Sequence, residues 1–370
     1  MTVKICHVTS AHNTNDIRIF EKECVSLAKS EENKVFLVGQ GECRMHKKVN
    51  VIGVGNIPDK RLKRMMFFAK TVIDKAIELD ADIYHLHDPE LLRYALKLKK
   101  LGKKVIFDSH ENVLDSIDEK TYMPLFARKI FKSYYRCLQK KVLKKIDGII
   151  VVTPQMIDGY KEYNNNISMV TNYPIINEFV ESSGYIKGRF IFAGGISRQW
   201  SHKEIIRAID KIDDVEYYLF GPADEEYLKE LKSLDGWEKV HYGGKVPFEI
   251  VQGEIKKAQA VFALLKPSKN SFYMQGTLGN TKLFEAMENS KPVVASDFEL
   301  WKPIIENNDC GICVNPNDVS EIETAIRKVL SLSDEEYDFM GTRSRKAIEK
   351  SYNWNIAEKE LISFYDRLIN

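Results

Sequence analysis

Nowhere in the 370 residues do about 18 apolar residues run without a charge, so no segment is built to cross a bilayer. Met1 to Thr9 runs straight into a strand pattern and lacks the longer apolar core and small-residue cleavage site of a secretory signal, which predicts a cytoplasmic protein. Cysteine is sparse: six residues and no such signal predict reduced thiols rather than a disulfide framework. Cys310 and Cys313 have a C-x-x-C spacing, but no second pair exists to complete a zinc site. Their surroundings read as a buried strand, not as the helix opening a redox motif needs. Net charge is nearly absent at +2, which argues against a dedicated nucleic-acid binder. No G-x-G-x-x-G follows the first strand, so a dinucleotide oxidoreductase ranks low.

With 44% hydrophobic and 29% charged residues the composition is that of a globular protein, and the length suits two domains. Strand-like apolar runs alternate with helix-period segments, the pattern of parallel α/β layers. Val3–Thr9, Lys34–Val38, Ile83–Leu86, Val105–Phe107 and Gly148–Val152 form one series. A second series comprises Phe190–Ala193, Tyr217–Phe220, Val240–Tyr242, Val261–Leu265, Val293–Ala295 and Ile312–Val314. The expected division is a domain over 1–176, a linker over 177–189, a domain over 190–350, and a final helix over 351–370 that crosses back to the first. Two doubly wound halves facing one another would place the loops after their strands on a shared, deep cleft.

The most informative segment is Gly279-Asn280-Thr281-Lys282-Leu283-Phe284-Glu285-Ala286-Met287, followed by Lys291-Pro292-Val293-Val294-Ala295-Ser296. A loop enters a helix with Lys282 in its first turn and Glu285 one turn on, which reads either as a phosphate and ribose site or as an ordinary helix start. Phe192-Ala193-Gly194-Gly195-Ile196-Ser197-Arg198, with Lys203 beyond it, pairs glycines that let backbone approach a ligand with cations suited to a departing diphosphate. In the first half, His110 closes the strand Phe107-Asp108-Ser109-His110-Glu111, and His85, His87 and Asp88 lie in Tyr84-His85-Leu86-His87-Asp88-Pro89. His85 reads as scaffold. Ser10-Ala11-His12-Asn13-Thr14-Asn15-Asp16-Ile17-Arg18 is a polar loop in which Asn15 or Asp16 can cap a helix.

These segments, with Asp147–Thr153 and Val240-His241-Tyr242-Gly243-Gly244-Lys245-Val246-Pro247, resemble the retaining family 4 glycosyltransferases of the GT-B fold, two facing Rossmann-like domains, over nearly the whole chain. The resemblance implies a sugar nucleotide, with UDP the expected base carrier, as substrate, no further cofactor and no metal. It assigns the ribose to Glu285 and the rest of the donor to Lys282, Gly194, Gly195, Ser197, Val246, Thr277, Leu278, Gly279, Asn280 and Thr281. Thr277 stands where the family commonly carries a first glutamate, eight positions before Glu285, so backbone amides of Gly276, Thr277 and Leu278 would replace it. His110, Arg198 and Lys203 are implied as catalytic residues, although the family's arginine directly follows the first glycine, where Gly195 stands here. His12, Asp16, Arg18, His87 and Asp88 are implied on the acceptor side. Asp80-Ala81-Asp82 has a D-x-D spacing but precedes a strand, and reads as a solvated turn.

Thr121 to Ile146 contains Arg128, Lys129, Lys132, Arg136, Lys140, Lys141, Lys144 and Lys145 and no acidic residue, interleaved with Phe126, Ile130, Phe131 and Tyr134. Lys60, Arg61, Lys63 and Arg64 precede Met65, Met66, Phe67 and Phe68 in a second cluster. Such stretches read as a membrane-surface element, a nucleic-acid contact or a solvated face, and an anionic inner leaflet is the expected partner rather than nucleic acid. The resulting expectation is transfer of a sugar to a lipid-linked or oligosaccharide acceptor in bacterial surface-glycan assembly. An epimerase or phosphorylase of the same fold, or an inactive nucleotide-sugar-binding subunit, are the rivals.

Overall fold

Near-continuous runs of Val, Ile, Leu and Phe, buried on both faces, form parallel sheets covered by helices on each side. The computed structural model describes residues 2–58, 60, 63–118, 123–176 and 184–369. Arg61, Thr121 and residues 177–183 of the expected linker lie outside the described residues. The chain divides into two units, Met1–Asn172 together with Trp354–Asn370, and Tyr173–Asn353.

The first unit is an eight-stranded sheet of β1 (Val3–Asn13), β2 (Asn33–Gln40), β3 (Arg44–His46), β4 (Val49–Gly53), β5 (Ile83–Leu86), β6 (Lys104–Ser109), β7 (Gly148–Val151) and β8 (Ile167–Met169). Its order is β3-β4-β2-β1-β5-β6-β7-β8, and only the β3–β4 pair is antiparallel. The order reverses at β1, so β1 and β5 meet in the middle of the sheet, with His7 opposite His85. After β1 the chain winds through Ile17–Cys24 as a π-helix, capped by Asp16, which accepts from the Ile19 amide. The helix Trp354–Ile369 belongs to this unit. Its Trp354 Nε1 donates to Ser26 Oγ at 2.9 Å and its Arg367 to Ser168 Oγ at 3.0 Å. Phe364 lies over β7, where a Cβ at Gly148 would come 2.4 Å from its Cζ.

The second unit is a six-stranded, wholly parallel sheet of β9 (Arg189–Ala193), β10 (Glu216–Phe220), β11 (Val240–Gly244), β12 (Ala260–Ala263), β13 (Val293–Ser296) and β14 (Gly311–Val314), in the order β11-β10-β9-β12-β13-β14. This is the expected α/β class, with two parallel-stranded sheets. Cys310 and Cys313 flank and enter β14 as free thiols, pushed up by burial to about 11 and about 12.

Trp354 is 4% exposed and anchors the closing helix of the first unit. Trp354→Ala should cost about 3–5 kcal/mol, the range for emptying a buried aromatic site. Urea unfolding followed by hydrogen exchange should show the loss in β1, β7 and β8, with the second unit unchanged; equal loss in both units would contradict the assignment.

Candidate active site

In the second unit the site begins where β9 and β10 run out. Gly194 has φ +153° and Gly221 φ +141°, and a Cβ on Gly221 would stand 1.8 Å from the Gly194 carbonyl oxygen. Only bare backbone lets the two turns approach so closely. Gly194 in turn makes room for Lys282, since a Cβ there would come 2.4 Å from its Nζ. The Lys282 ammonium lies 5.3 Å from the Phe192 ring centroid and 5.8 Å from that of Trp200. It has no ion-pair or hydrogen-bond partner among the described residues. Burial holds its pKa below the ordinary lysine range, and the Glu285 charge offsets this only in part. Cation–π contacts stabilise it but leave its three N–H donors for an anion.

Glu285, one turn into the helix Lys282–Glu288, accepts from Thr281 Oγ1 at 2.6 Å. Asn280 Oδ1 accepts from the Lys282 amide at 3.0 Å, Thr277 Oγ1 from the Gly279 amide at 3.1 Å, and the Thr277 carbonyl from Trp301 Nε1 at 2.7 Å. The loop ahead of them carries Phe272 and Tyr273 at φ +55° and +53°, a conformation that costs non-glycine residues on the order of 1–3 kcal/mol each. Gly195 is exposed, and the Ser197 carbonyl accepts from the Trp200 amide. Val246 is half-buried in the turn after β11. Leu278 is half-buried and packs against the core of this unit. Arg198 and Lys203 do not join Lys282: both pair with Glu230, and both lie over the Tyr227 ring. Sequence reasoning missed Glu230, which stands in an unremarkable amphipathic helix, Glu225–Lys232.

In the first unit Asp88, His12, His87 and His110 come together. Asp88 Oδ1 lies 3.0 Å from His12 Nδ1, while Oδ2 accepts from Thr9 Oγ1 at 2.8 Å and from the amides of Ser10 and Ala11 at 2.6 and 3.1 Å. Burial works to raise the Asp88 pKa, but the His12 contact and these donors overcome it and hold the carboxyl well below its usual range. Burial likewise opposes the His12 charge, and Asp88 outweighs it, so the His12 pKa is raised. His110 Nε2 stands 3.1 Å from Asp108 Oδ2 and 3.3 Å from His87 Nδ1. Beside this group is a cavity of about 230 Å³ whose lining includes His12, Asp88, Glu90, Phe131, Tyr134 and Leu138.

Two residues expected to meet an acceptor are otherwise engaged. Asp16 caps the π-helix through its carboxylate. Arg18 is 5% exposed, and its guanidinium binds both Asp108 oxygens at 3.1 Å and the Val170 carbonyl at 2.9 Å, so its donors are spent inside the unit. The π winding, which brings residue i+5 back over residue i, also sets Arg18 Nε 3.1 Å from Glu23 Oε1. Asp80 is paired with Lys103 at 2.6 Å, and Asp82 accepts from the Lys4 amide at 2.8 Å.

The basic helix Leu125–Val142 exposes Leu125, Phe126, Ile130 and Tyr134, and Met66 and Phe67 are exposed in the second cluster. Arg128 donates to the Asp118 carbonyl and Lys132 to its carboxylate, each at 2.6 Å, so these two cations are turned inward; Lys129, Arg136, Lys140 and Lys141 are exposed. No helix among the described residues is long and apolar enough to cross a membrane.

Two doubly wound parallel sheets, with glycine-rich turns and a lysine-bearing helix entry in the second, define the GT-B class of glycosyltransferase. The model described as glycosyltransferase family 4 matches residues 24–172, and that described as glycosyl transferases group 1 matches residues 185–347. An uncharacterized glycosyltransferase of Methanocaldococcus jannaschii is 26% identical over 294 residues, 74% of this chain and 71% of that protein. Among solved structures, sucrose-phosphate synthase of Thermosynechococcus elongatus superposes with a TM-score of 0.76 at 14% identity, covering 99% of both chains. Anabaena HepE, solved in complex with UDP and glucose, superposes with a TM-score of 0.71 at 14% identity over 99% of this chain and 100% of that one. The chain belongs to the glycosyltransferases of the family 4 type.

The buried histidines make the first unit acid-labile. Burial foremost holds His7, His85 and His87 below their ordinary range. Unfolding lets each take up a proton below about pH 6.5, which costs about 1.4 kcal/mol of stability per histidine per pH unit. Glu23, raised by burial and by Asp108, works in the opposite sense and offsets one of the three. The depressed Asp88 and Asp108 lose their contributions only below about pH 4, outside this window. Stability of the first unit, measured in chelator, should therefore fall by roughly 1–3 kcal/mol per pH unit between pH 6 and 5, depending on whether two or all three rings stay neutral. Urea midpoints across that window measure it, and a flat profile would contradict neutral burial of the three rings.

Proposed function

We propose that the protein transfers a sugar, with retention of anomeric configuration, from a UDP-linked donor to a lipid-linked or oligosaccharide acceptor at an anionic membrane surface. The observation that carries the donor half is the unpaired Lys282 ammonium over bare glycine backbone. A desolvated cation with three free donors is matched by a diphosphate, and the charge that builds on the leaving diphosphate strengthens the bond in the transition state. Glu285 would hold the ribose hydroxyls and the turn at Val246 the base. Arg198 and Lys203 would reach the diphosphate by exchanging Glu230 for phosphate oxygens. The acceptor hydroxyl attacks the anomeric carbon from the face the diphosphate leaves, and the leaving phosphate oxygen takes the proton. His110, oriented by Asp108, would position sugar and acceptor, with His12 and Asp88 beside the acceptor and the buried His87 supporting His110 from behind. The UDP bound by Anabaena HepE supports the choice of base.

Lys282→Gln should weaken UDP binding about 10- to 100-fold, the equivalent of a charge-assisted hydrogen bond of about 1.5–3 kcal/mol. Because the ammonium is unpaired, its removal should leave Tm unchanged or higher. Titration calorimetry with UDP tests this; unchanged affinity would sink the donor assignment.

The acceptor half rests on exposed Leu125, Phe126, Ile130 and Tyr134 lying among exposed Lys129, Arg136, Lys140 and Lys141. Each cation near an anionic surface contributes about 1 kcal/mol, and added salt screens it. Changing those four cations to glutamine should abolish salt-sensitive co-sedimentation with phosphatidylglycerol vesicles and spare UDP binding. Co-sedimentation equal to the unaltered protein would show that they are a solvated face.

A further inference from the structure

We propose that the first unit holds a structural divalent transition-metal ion, of the zinc type, between His7, Glu23, His85 and His87. The sheet builds the site. His7 on β1 is paired in register with His85 on the adjacent β5, and His87, two residues on, points to the same face. The π-helix that crosses this face supplies Glu23.

His7 Nδ1, His85 Nε2 and His87 Nε2 each stand 3.9 Å from Glu23 Oε2, and the first and last are 2.9 Å apart. All four donor atoms lie within 4.8 Å of one another. A tetrahedral ion with bonds of about 2.0–2.1 Å sets its ligand atoms about 3.4 Å apart, between these observed separations. The four side chains are 0% exposed. His85 Nε2 and Glu23 Oε2 have no hydrogen-bond partner among the described residues, while Glu23 Oε1 is ion-paired with Arg18 Nε at 3.1 Å. Leaving such groups unmet is costly, and an ion at their centre meets them together.

The outward ring nitrogens are oriented as metal-bound imidazoles require. His7 Nε2 and His85 Nδ1 lie 3.3 and 2.8 Å from the Tyr365 hydroxyl, and His87 Nδ1 lies 3.3 Å from Asp108 Oδ2. The Asp108 carboxylate, an acceptor only, sets the His87 tautomer with its Nε2 lone pair inward, and the Tyr365 hydroxyl can accept from both other rings when they bind an ion. Ion binding displaces only the proton of the Glu23 carboxyl, which leaves to solvent; the rings bind as neutral imidazoles that keep their outward N–H protons, and no oxidation state changes. Three nitrogens and one carboxylate oxygen suit zinc or cobalt over magnesium or calcium. With every position filled by protein and no side-chain exposure, the ion stabilises the unit and takes no part in sugar transfer. The neighbouring group His87, Asp108 and His110 is the weaker candidate, because it offers three ligands rather than four and His110 is part-exposed.

The full chain, unfolded in chelator and refolded with one equivalent of Zn²⁺, should keep about one zinc through desalting and gain Tm over the chelated control. With Co²⁺ in place of zinc it should show the intense visible bands of a four-coordinate centre. Glu23→Gln and His85→Gln should each lower zinc affinity at least tenfold, whereas His110→Ala should not. The proposal is overturned if the refolded protein keeps no metal, if the cobalt spectrum is that of a six-coordinate ion, or if only His110→Ala removes it. Should the two ligand variants fail to fold, the cobalt spectrum of the unaltered chain decides alone.

Discussion

The organisation of the first unit depends on the buried pair of Arg18 and Asp108. Removing one partner from such a pair leaves an unmet charge and costs about 3–5 kcal/mol. Its larger importance is directional. Arg18 binds both Asp108 oxygens, which keeps the carboxylate ionised against its burial, and the ionised Asp108 can then face both His87 and His110. Burial likewise opposes the Arg18 charge, and Asp108 with Glu23 outweighs it. The orientation of the strand-end histidine thus traces back to an arginine on a π-helix, 90 residues before Asp108 in the sequence.

The second unit uses the opposite arrangement. There the informative charge is one left alone: glycines at 194 and 221 remove side chains, aromatic rings flank the space, and Lys282 enters it unpaired. Arg18 and Asp108 in the first unit are matched to one another, whereas Lys282 in the second has no opposite partner among the described residues. Arg198 and Lys203 lie between these cases, since Glu230 satisfies them at the surface, where exchange for another anion costs little.

Much of this was legible in the sequence because parallel strands write themselves as unbroken apolar runs. All six strands of the second unit and five of the first fall on the expected runs, with ends moved by a few residues. The short β3 and β8 were not, because three residues at each edge of the sheet are too few to make a run, and β4, between β3 and β2, alternates buried Val49 and Val51 with half-buried neighbours over only five residues. The residues around Lys282 were found by spacing at a helix entry. Arg18 and Glu23 were misread or missed because periodicity of 3.6 puts residues five apart on different faces, and only π winding reunites them. His7 looked like one more strand residue, and Tyr365 is 280 positions from His85. Arg128 and Lys132 looked equivalent to their neighbours until the Asp118 contacts separated them.

The helix Trp354–Ile369 also sets an order of events during synthesis. The second unit is one continuous stretch, Tyr173–Asn353, and has all its own strands and helices before Trp354 leaves the ribosome. The first unit starts earlier yet waits longer: until Tyr365 arrives, His7 and His85 lack the hydroxyl that orients them, and Ser26 lacks its indole partner. For the time needed to translate the whole intervening unit, at about 5–20 residues per second, the nascent first unit holds an open polar seam in the middle of its sheet. That interval of tens of seconds is when its buried histidines are within reach of solvent and of whatever dissolved species bind them, and also when the unit is most exposed to mispairing.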